Sequence, residues 1–308
     1  MQDDAATVRG YRQPVTGATS PLRPVLAAAA GIAMLSLMDV FMKQASLAMG
    51  AYMAALLRAG AAFAIALPVW LAGRPLWPGR RAMRIHLVRG TVGALMALTF
   101  FFALTRLPVA ETIAISFFAP ILALYLSAAL LHEPIHPRTI GGAVLGLAGV
   151  FVIIGGKLSG GGLSNETWGG LAAIGFSSLL YAWNLVLQRQ QALIARPTEV
   201  ATFYFGVASL VYLLAAPWLF AWPGSGLPAV GVGAILTVGG ALTMAWAYAR
   251  AEAQLLVPLE YSGFLWATAF GWLLLAEHVT PSAAGGAVLI VAGCWIATRR
   301  PAAPTPAG

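Results

Sequence analysis

Four polar side chains are spaced along one predicted helical face near the start of the chain. Ser36, Asp39, Lys43 and Ser46 follow one another at intervals of three, four and three residues within an apolar stretch, a spacing that places them on one side of a helix. Asp39 and Lys43 are four residues apart, so the carboxylate and the ammonium group are predicted to neutralise each other. Such a face could bind a polar ligand or carry a proton. The alternative is that it only hydrogen-bonds neighbouring helices together.

A second polar stripe repeats this arrangement in the other half of the chain. A shift of 145 residues carries three members of the first stripe onto Tyr181, Asn184 and Gln188. Two related stripes are expected of a binding site that lies between two related halves. Hydrogen bonding between packed helices is again the alternative.

Arg58 is a further candidate because of its depth. At about 1.5 Å per helical residue, it lies near the level of Asp39 and Lys43, so the three are predicted to form a cluster. The cluster would leave one positive charge for a substrate carboxylate or for Glu111. Glu111 also begins an apolar stretch, where the helix dipole alone would favour a carboxylate.

Arg89 and Glu260 are candidates for a second cluster, on the inner side of the membrane. They lie about 8 Å and 12 Å into their stretches and could form an ion pair or a gate, although Arg89 could instead extend toward lipid headgroups. Pro258 frees a backbone carbonyl beside Glu260. We therefore expect Glu260 and Asp39 to carry proton coupling or substrate contact. Trp266, near Glu260 in sequence, could stack against a flat or cationic substrate.

The elements that must position these groups are membrane-spanning helices. Of 308 residues, 60% are apolar and only 9% are charged, whereas soluble domains are about 25% charged. A water-facing globule is therefore excluded, and apolar stretches of this length are typical of bilayer-spanning helices. Residues 1–23 are predicted to form a cytoplasmic tail and residues 299–308 a disordered one. The ten predicted spans are 24–47, 51–72, 84–105, 109–131, 138–156, 168–190, 198–221, 228–249, 252–275 and 281–298.

The basic residues predict how these spans are oriented. Thirteen arginines fall on the side of the N-terminus, and only Arg106 and Lys157 fall in loops on the other side. Positively charged loops face the cytoplasm, so both termini are predicted to be cytoplasmic in an inner-membrane protein. The net charge of +8 is distributed among these loops and gives no indication of nucleic-acid binding.

An internal repeat divides the chain into two halves. A shift of 144 residues aligns residues 103–156 with 247–300 without a gap, and GGAVL occurs in both. Each half, 24–156 and 168–298, contains five predicted spans. Because five is odd, the halves are inverted relative to each other, which favours a central site and alternating access. The fold class is therefore all-α and integral to the membrane, with ten helices in two inverted five-helix repeats.

A possible zinc motif lies at the end of the fourth predicted span. His132, Glu133 and His136 match HExxH, the helical zinc motif of metalloproteases. Pro134 disfavours helical geometry at Glu133, and the repeat partner AEHVT lacks both histidines in those positions. We therefore predict no metal or cofactor, and interpret Glu133 and its partner Glu277 as structural residues that hold the following loop.

The span pairs that precede each GGAVL resemble a known family. ISFFAPILALYLSAALLHEP (115–134) and LEYSGFLWATAFGWLLLAEH (259–278) resemble the EamA type of the drug/metabolite transporter superfamily. Residues 87–120 look more specifically like the subgroup of S-adenosylmethionine and riboflavin permeases. The resemblance implies a permease, not an enzyme, whose central cavity is lined mainly by the first four helices of each half.

Together these features predict a secondary transporter that moves a small organic metabolite by alternating access. Amino-acid-like compounds, S-adenosylmethionine and riboflavin all fit a cavity with both signs of charge, and a proton gradient is a candidate driving force. The expected partners are the substrate and the lipid bilayer; a monomer suffices and a homodimer is an option. An intramembrane zinc protease of the HExxH type is the alternative function.

Overall fold

The computed structural model describes most of the apolar part of the chain. The described residues are 22–75, 77–119, 122, 125–126, 137–159, 164–192, 194–221, 225–248, 250, 259 and 262–298. Within them the regular secondary structure is helical and contains no strand. The expectation of an all-α protein is confirmed.

Ten helices are described, in the order that the hydropathy pattern predicts. They are α1 Leu22–Met49, α2 Ala51–Ala72, α3 Arg80–Leu104, α4 Val109–Ser116, α5 Pro137–Ser159, α6 Asn165–Ala192, α7 Pro197–Leu219, α8 Leu227–Tyr248, α9 Gly263–Leu275 and α10 Pro281–Thr298. Six of them, α1 to α3 and α6 to α8, are long and apolar enough to cross a membrane, and shorter apolar helices lie within α5, α9 and α10. The fourth and ninth predicted spans are described only in part, as α4 and α9.

The helix ends follow local chemistry. Proline precedes or begins α4, α5, α7 and α10, where its missing N–H removes no helical hydrogen bond. A single residue, Gly50, joins α1 to α2 with φ at 85°, a left-handed conformation that glycine adopts without steric cost. Its N–H donates to Ser46 and its carbonyl accepts from Ala54, so α1 and α2 form a tight helical hairpin.

The outer surface of the bundle is apolar. Leu214 is 67% exposed and Trp218 is 81% exposed on α7, and Val288 on α10 is 68% exposed. Large exposed apolar patches mark contact with lipid or a partner, while helices satisfy their own backbone polar groups as a bilayer requires. The protein is therefore a multi-pass membrane protein.

The packing of the helices repeats the symmetry of the sequence. Five of the packed pairs are related by the repeat, namely α1 with α8, α3 with α6, α2 with α7, α4 with α9 and α5 with α10. Exchanging the two halves converts the first pair into the second and each of the other three into itself. The contact pattern thus has the two-fold symmetry that a repeat generates.

The crossing of α5 and α10 brings the two GGAVL segments together. A Cβ at Gly149 would lie 2.5 Å from the carbonyl oxygen of Gly286, and a Cβ at Gly293 would lie 2.5 Å from that of Gly142. The shift of 144 residues exchanges these two contacts. Both close approaches therefore require glycine, and they show that α5 and α10 run antiparallel.

Candidate functional site

A buried arginine lies between α2, α3 and α8. Arg58 on α2 is only 6% exposed; its Nη1 donates to Thr237 Oγ1 on α8 at 3.3 Å, and its Cζ lies 5.0 Å from the centre of the Phe101 ring. Among the described residues, no hydrogen-bond acceptor meets its Nε. A buried guanidinium with an unused donor is costly unless an anion or a polar ligand meets it.

Asp39 supplies the opposite charge beside Arg58. It lies on α1, half-buried, within electrostatic range of the Arg58 guanidinium, but the two side chains form no ion pair within 4 Å. One turn earlier, Ser36 Oγ donates to the carbonyl of Gly263 at 3.3 Å and holds α1 against α9. The predicted grouping of Asp39 with Arg58 is therefore present, with a gap between the two charges.

Lys43 belongs to a different network from Asp39. Its Nζ forms an ion pair with Glu277 and donates to the carbonyl of Leu107 at 2.6 Å. The second carboxylate oxygen of Glu277 accepts from the N–H of Val109 at 2.8 Å. The predicted pairing of Asp39 with Lys43, and with it the three-residue cluster containing Arg58, is wrong, because Glu277 offers Lys43 a direct carboxylate contact.

Backbone geometry brings Glu277 to Lys43. Ala276 ends α9 in the left-handed conformation with φ at 53°, and the N–H of Glu277 then donates to the carbonyl of Gly271. This turn folds the carboxylate back over the end of the bundle. We call Lys43, Glu277 and the N-terminus of α4 the α1–α9 network. Next to it, Thr280 donates to Glu111 at 3.4 Å.

The other end of the bundle holds a second network, centred on Arg89. The side chain is 8% exposed and lies 4.8 Å from the centre of the Tyr204 ring. It donates to Asn184 at 3.2 Å, to Gln188 at 3.3 Å and to Gln191. The second predicted stripe thus meets Arg89, and the guanidinium is directed toward α6 instead of toward lipid headgroups.

His86 extends this network to α7. Its ring is fully buried and stacks on Phe203 with 4.8 Å between centres. Nε2 lies 2.9 Å from Glu199 Oε1, and Nδ1 contacts the amide of Gln191. We call Arg89, His86 and their partners the α3–α6 network. It joins α3, α6 and α7 at the end of the bundle that carries the arginines at the start of α3.

Several of these groups were not identified from the sequence. His86 and Glu199 were missed because single polar residues near helix ends are common in membrane proteins. Thr237, in the middle of α8, was missed because a lone threonine in a span can satisfy its hydroxyl on its own helix, as it does here at the carbonyl of Gly233. Gln191 had a signal, since the shift of 145 residues that relates the two stripes also places Ser46 on Gln191. The shift relates all four positions of the first stripe to the second.

The structure describes two further predicted site residues, Trp266 and Tyr181. Trp266 stacks on Phe270 of its own helix, with 5.8 Å between ring centres, and Tyr181 is half-buried on α6. Glu260, Glu133 and the HExxH segment lie outside the described residues. The predicted pair of Glu260 with Arg89 therefore stays a prediction.

Comparisons with known proteins agree with this architecture. Residues 22–155 match the EamA-like transporter family. The pseudopaline exporter of Pseudomonas aeruginosa is 27% identical over 228 residues, covering 71% of this chain and 76% of that protein. The aromatic amino acid exporter of Ancylobacter novellus is 29% identical over 252 residues, covering 78% and 81%.

Structural comparison gives the same fold. A protein crystal structure with 23% sequence identity matches with a TM-score of 0.60 and covers 89% of this chain and 96% of its own. The two sequence relatives are named as exporters, and the helices and the apolar surface of this chain fit a membrane transporter. The chain is therefore similar to the EamA-type permeases of the drug/metabolite transporter superfamily, and these similarities support a membrane transporter of small metabolites.

Proposed function

We propose that this protein exports a small zwitterionic metabolite of the amino-acid type, which binds between Asp39 and Arg58. The observation that carries the proposal is the unused Nε donor of a guanidinium buried between α2, α3 and α8. The direction is supported by the two relatives, which are exporters of pseudopaline and of aromatic amino acids.

The chemistry of the pair suits a molecule with both charges. A guanidinium binds a carboxylate through parallel N–H donors, and Asp39 offers an acceptor for an ammonium group. Because Asp39 and Arg58 do not neutralise each other by direct contact, a zwitterion can take the gap between them. Phe101, which lies against the guanidinium, gives the site an apolar wall for an aromatic or aliphatic side chain.

The two networks suit the roles of gates. Alternating access requires that the site open to one side at a time. The α1–α9 network closes one end of the bundle and the α3–α6 network closes the other, and both are formed in this structure. Transport would break each in turn. The arginine-rich end is predicted to face the cytoplasm, so the α3–α6 network would be the cytoplasmic gate.

The driving force that we propose is a proton gradient. Asp39 and Glu260 are the carboxylates proposed for proton coupling, since a charged group in a span is costly unless it is paired, hydrated or protonated. A facilitator that only equilibrates its substrate is the alternative.

The test is transport in proteoliposomes with a panel of labelled substrates. The panel contains aromatic amino acids, S-adenosylmethionine and riboflavin, each assayed with and without a pH gradient. We expect transport of an amino acid that Arg58→Gln abolishes and Arg106→Gln leaves intact. The control removes the same charge from an exposed arginine at the end of α3.

Two outcomes would contradict the proposal. Wild-type transport by Arg58→Gln would remove the arginine from the site. Transport of riboflavin alone, which carries no carboxylate, would be consistent with a permease but would exclude a zwitterionic substrate. Accumulation only with the pH gradient would favour coupling, and equilibration without it would favour a facilitator.

A further inference from the structure

A cleft lined by arginines opens beside the α3–α6 network. Arg80, Arg81 and Arg84 from α3 line one side together with Ile85, and the opposite side is formed by residues at and just after the end of α6. The volume of the cleft is about 700 Å³, and the α6 side consists of Gln190 and Ile194. We call it the basic cleft.

The three cations of the basic cleft are not neutralised by the described part of the chain. None of the three guanidinium groups lies within 4 Å of a described carboxylate. The ion pairs among the described residues involve Lys43 and His86 instead. All three side chains are exposed. Like charges this close on one helix repel each other, so an anion bound between them would relieve an unfavourable arrangement.

The position of the cleft indicates which anion. Trp77 lies three residues before Arg80, is 73% exposed and packs edge-on against Trp70. Tryptophan is enriched at the membrane–water interface, so the cleft lies at headgroup depth. Its two isoleucines add an apolar wall that an acyl chain can contact and that a free inorganic anion would not use.

We propose that the basic cleft binds the phosphate group of an anionic phospholipid. Arginine forms charge-assisted, often bidentate hydrogen bonds with phosphate, and basic pockets between membrane helices bind anionic headgroups. The bound lipid bridges α3 and α6. Since Ile85 and Gln190 are the chain neighbours of His86 and Gln191, the lipid stabilises the end of the bundle that the α3–α6 network closes.

The test measures the binding of phosphatidylglycerol to the full-length protein in detergent by native mass spectrometry. The variant carries Arg80→Gln, Arg81→Gln and Arg84→Gln, and the matched control carries Arg23→Gln, Arg196→Gln and Arg250→Gln, which remove three exposed charges outside the cleft. At about 1 kcal/mol for each basic residue, we expect the cleft variant to bind about 100-fold more weakly and the control to change by less than about threefold.

Separate arms identify the source of the phosphate. Phosphatidylcholine, which has no net charge, should bind the wild type as weakly as the cleft variant does. Inorganic phosphate at millimolar concentration should not displace phosphatidylglycerol; displacement would assign the cleft to a soluble phosphate and overturn the lipid. Equal losses in the two triple variants would overturn the cleft and leave only non-specific attraction. Arg84→Gln alone, with an expected loss of about fivefold, replaces the triple variant if that variant is not recovered folded.

Discussion

The two polar networks lie at opposite ends of the bundle and each includes part of one of the two related stripes, yet they hold their cations differently. In the α1–α9 network, Lys43 meets a carboxylate, and Glu277 also caps the backbone N–H of Val109. In the α3–α6 network, Arg89 meets the neutral amide side chains of Asn184, Gln188 and Gln191. Lys43 and Gln188 are related by the repeat, so duplication placed a cation and an amide at equivalent positions.

The difference suggests that the two ends resist opening to different degrees. Removing one partner of a buried ion pair leaves an uncompensated charge and costs several kcal/mol. An arginine among amides loses only hydrogen bonds, each worth about 1 kcal/mol net. We therefore expect the α1–α9 network to be the stronger closure, and four sets of variants test this comparison and the symmetry of the bundle.

Variants at the crossing of α5 and α10 should have the largest effect on the free energy of unfolding. Gly149→Leu places a side chain against the Gly286 carbonyl, and Gly293→Leu, at the position that the repeat relates to Gly149, places one against the Gly142 carbonyl, so each should lower the free energy of unfolding by about 3 kcal/mol or more. Gly141→Leu and Gly285→Leu are matched controls, since a Cβ at either meets nothing within 4 Å. Thermal unfolding in detergent measures all four. A repeat variant that behaves like its control would contradict the inverted crossing.

Glu277→Gln should have the next largest effect. It leaves the Lys43 ammonium without its carboxylate, and we expect a loss of about 2–3 kcal/mol in the free energy of unfolding. Glu166→Gln, at an exposed acid at the start of α6, should change the same quantity by less than about 0.5 kcal/mol. Lys43→Met in the Glu277→Gln background should recover part of the loss. Additive losses in the double variant would show that the two residues do not act as a pair.

Arg89→Gln tests the α3–α6 network in the same way and should have a smaller effect than Glu277→Gln. Glutamine can still hydrogen-bond the amides of Gln188 and Gln191 and carries no charge, so we expect a loss of only about 1 kcal/mol in the free energy of unfolding. A loss as large as that of Glu277→Gln would mean that Arg89 has an acidic partner beyond the described residues, and Glu260 would be the first to test. Arg106→Gln serves as the exposed control.

Glu199→Gln should have the smallest effect. The amide oxygen still accepts from His86 Nε2, which now lies 2.9 Å from the carboxylate, so the loss in the free energy of unfolding should stay below about 1 kcal/mol. Glu199→Leu removes the acceptor from a buried ring and should cost about 1–3 kcal/mol. Equal stability of the two variants would show that His86 does not need the hydrogen bond to α7.

The depth of each polar residue within its span could be predicted from the sequence, whereas the contacts between helices could not. Hydropathy and the odd number of spans per half predicted ten helices and their inversion, because these depend on helix length and bilayer thickness alone. Counting residues correctly placed Arg58 near Asp39. It could not select the partner of Lys43, because that choice depends on the left-handed turn at Ala276 and on how α9 packs against α1.

The same limit explains the cluster around Arg89. The spacing of Asn184 and Gln188 predicted a polar face on α6. Arg89, the cation that this face contacts, lies on α3, about a hundred residues away in sequence. A spacing rule describes one helix at a time and carries no information on rotation between helices. Comparing the two stripes over their full length would have added Gln191.

The single-residue link at Gly50 has a consequence for how the molecule can move. Its hydrogen bonds to both flanking helices leave no slack between α1 and α2, and these two helices carry Asp39 and Arg58. We therefore expect the link to restrict how far α1 and α2 can move apart when the other helices move, and so to limit any change in the spacing of the two charges. Selection among substrates by the distance between their charged groups would then differ little between the two sides of the membrane.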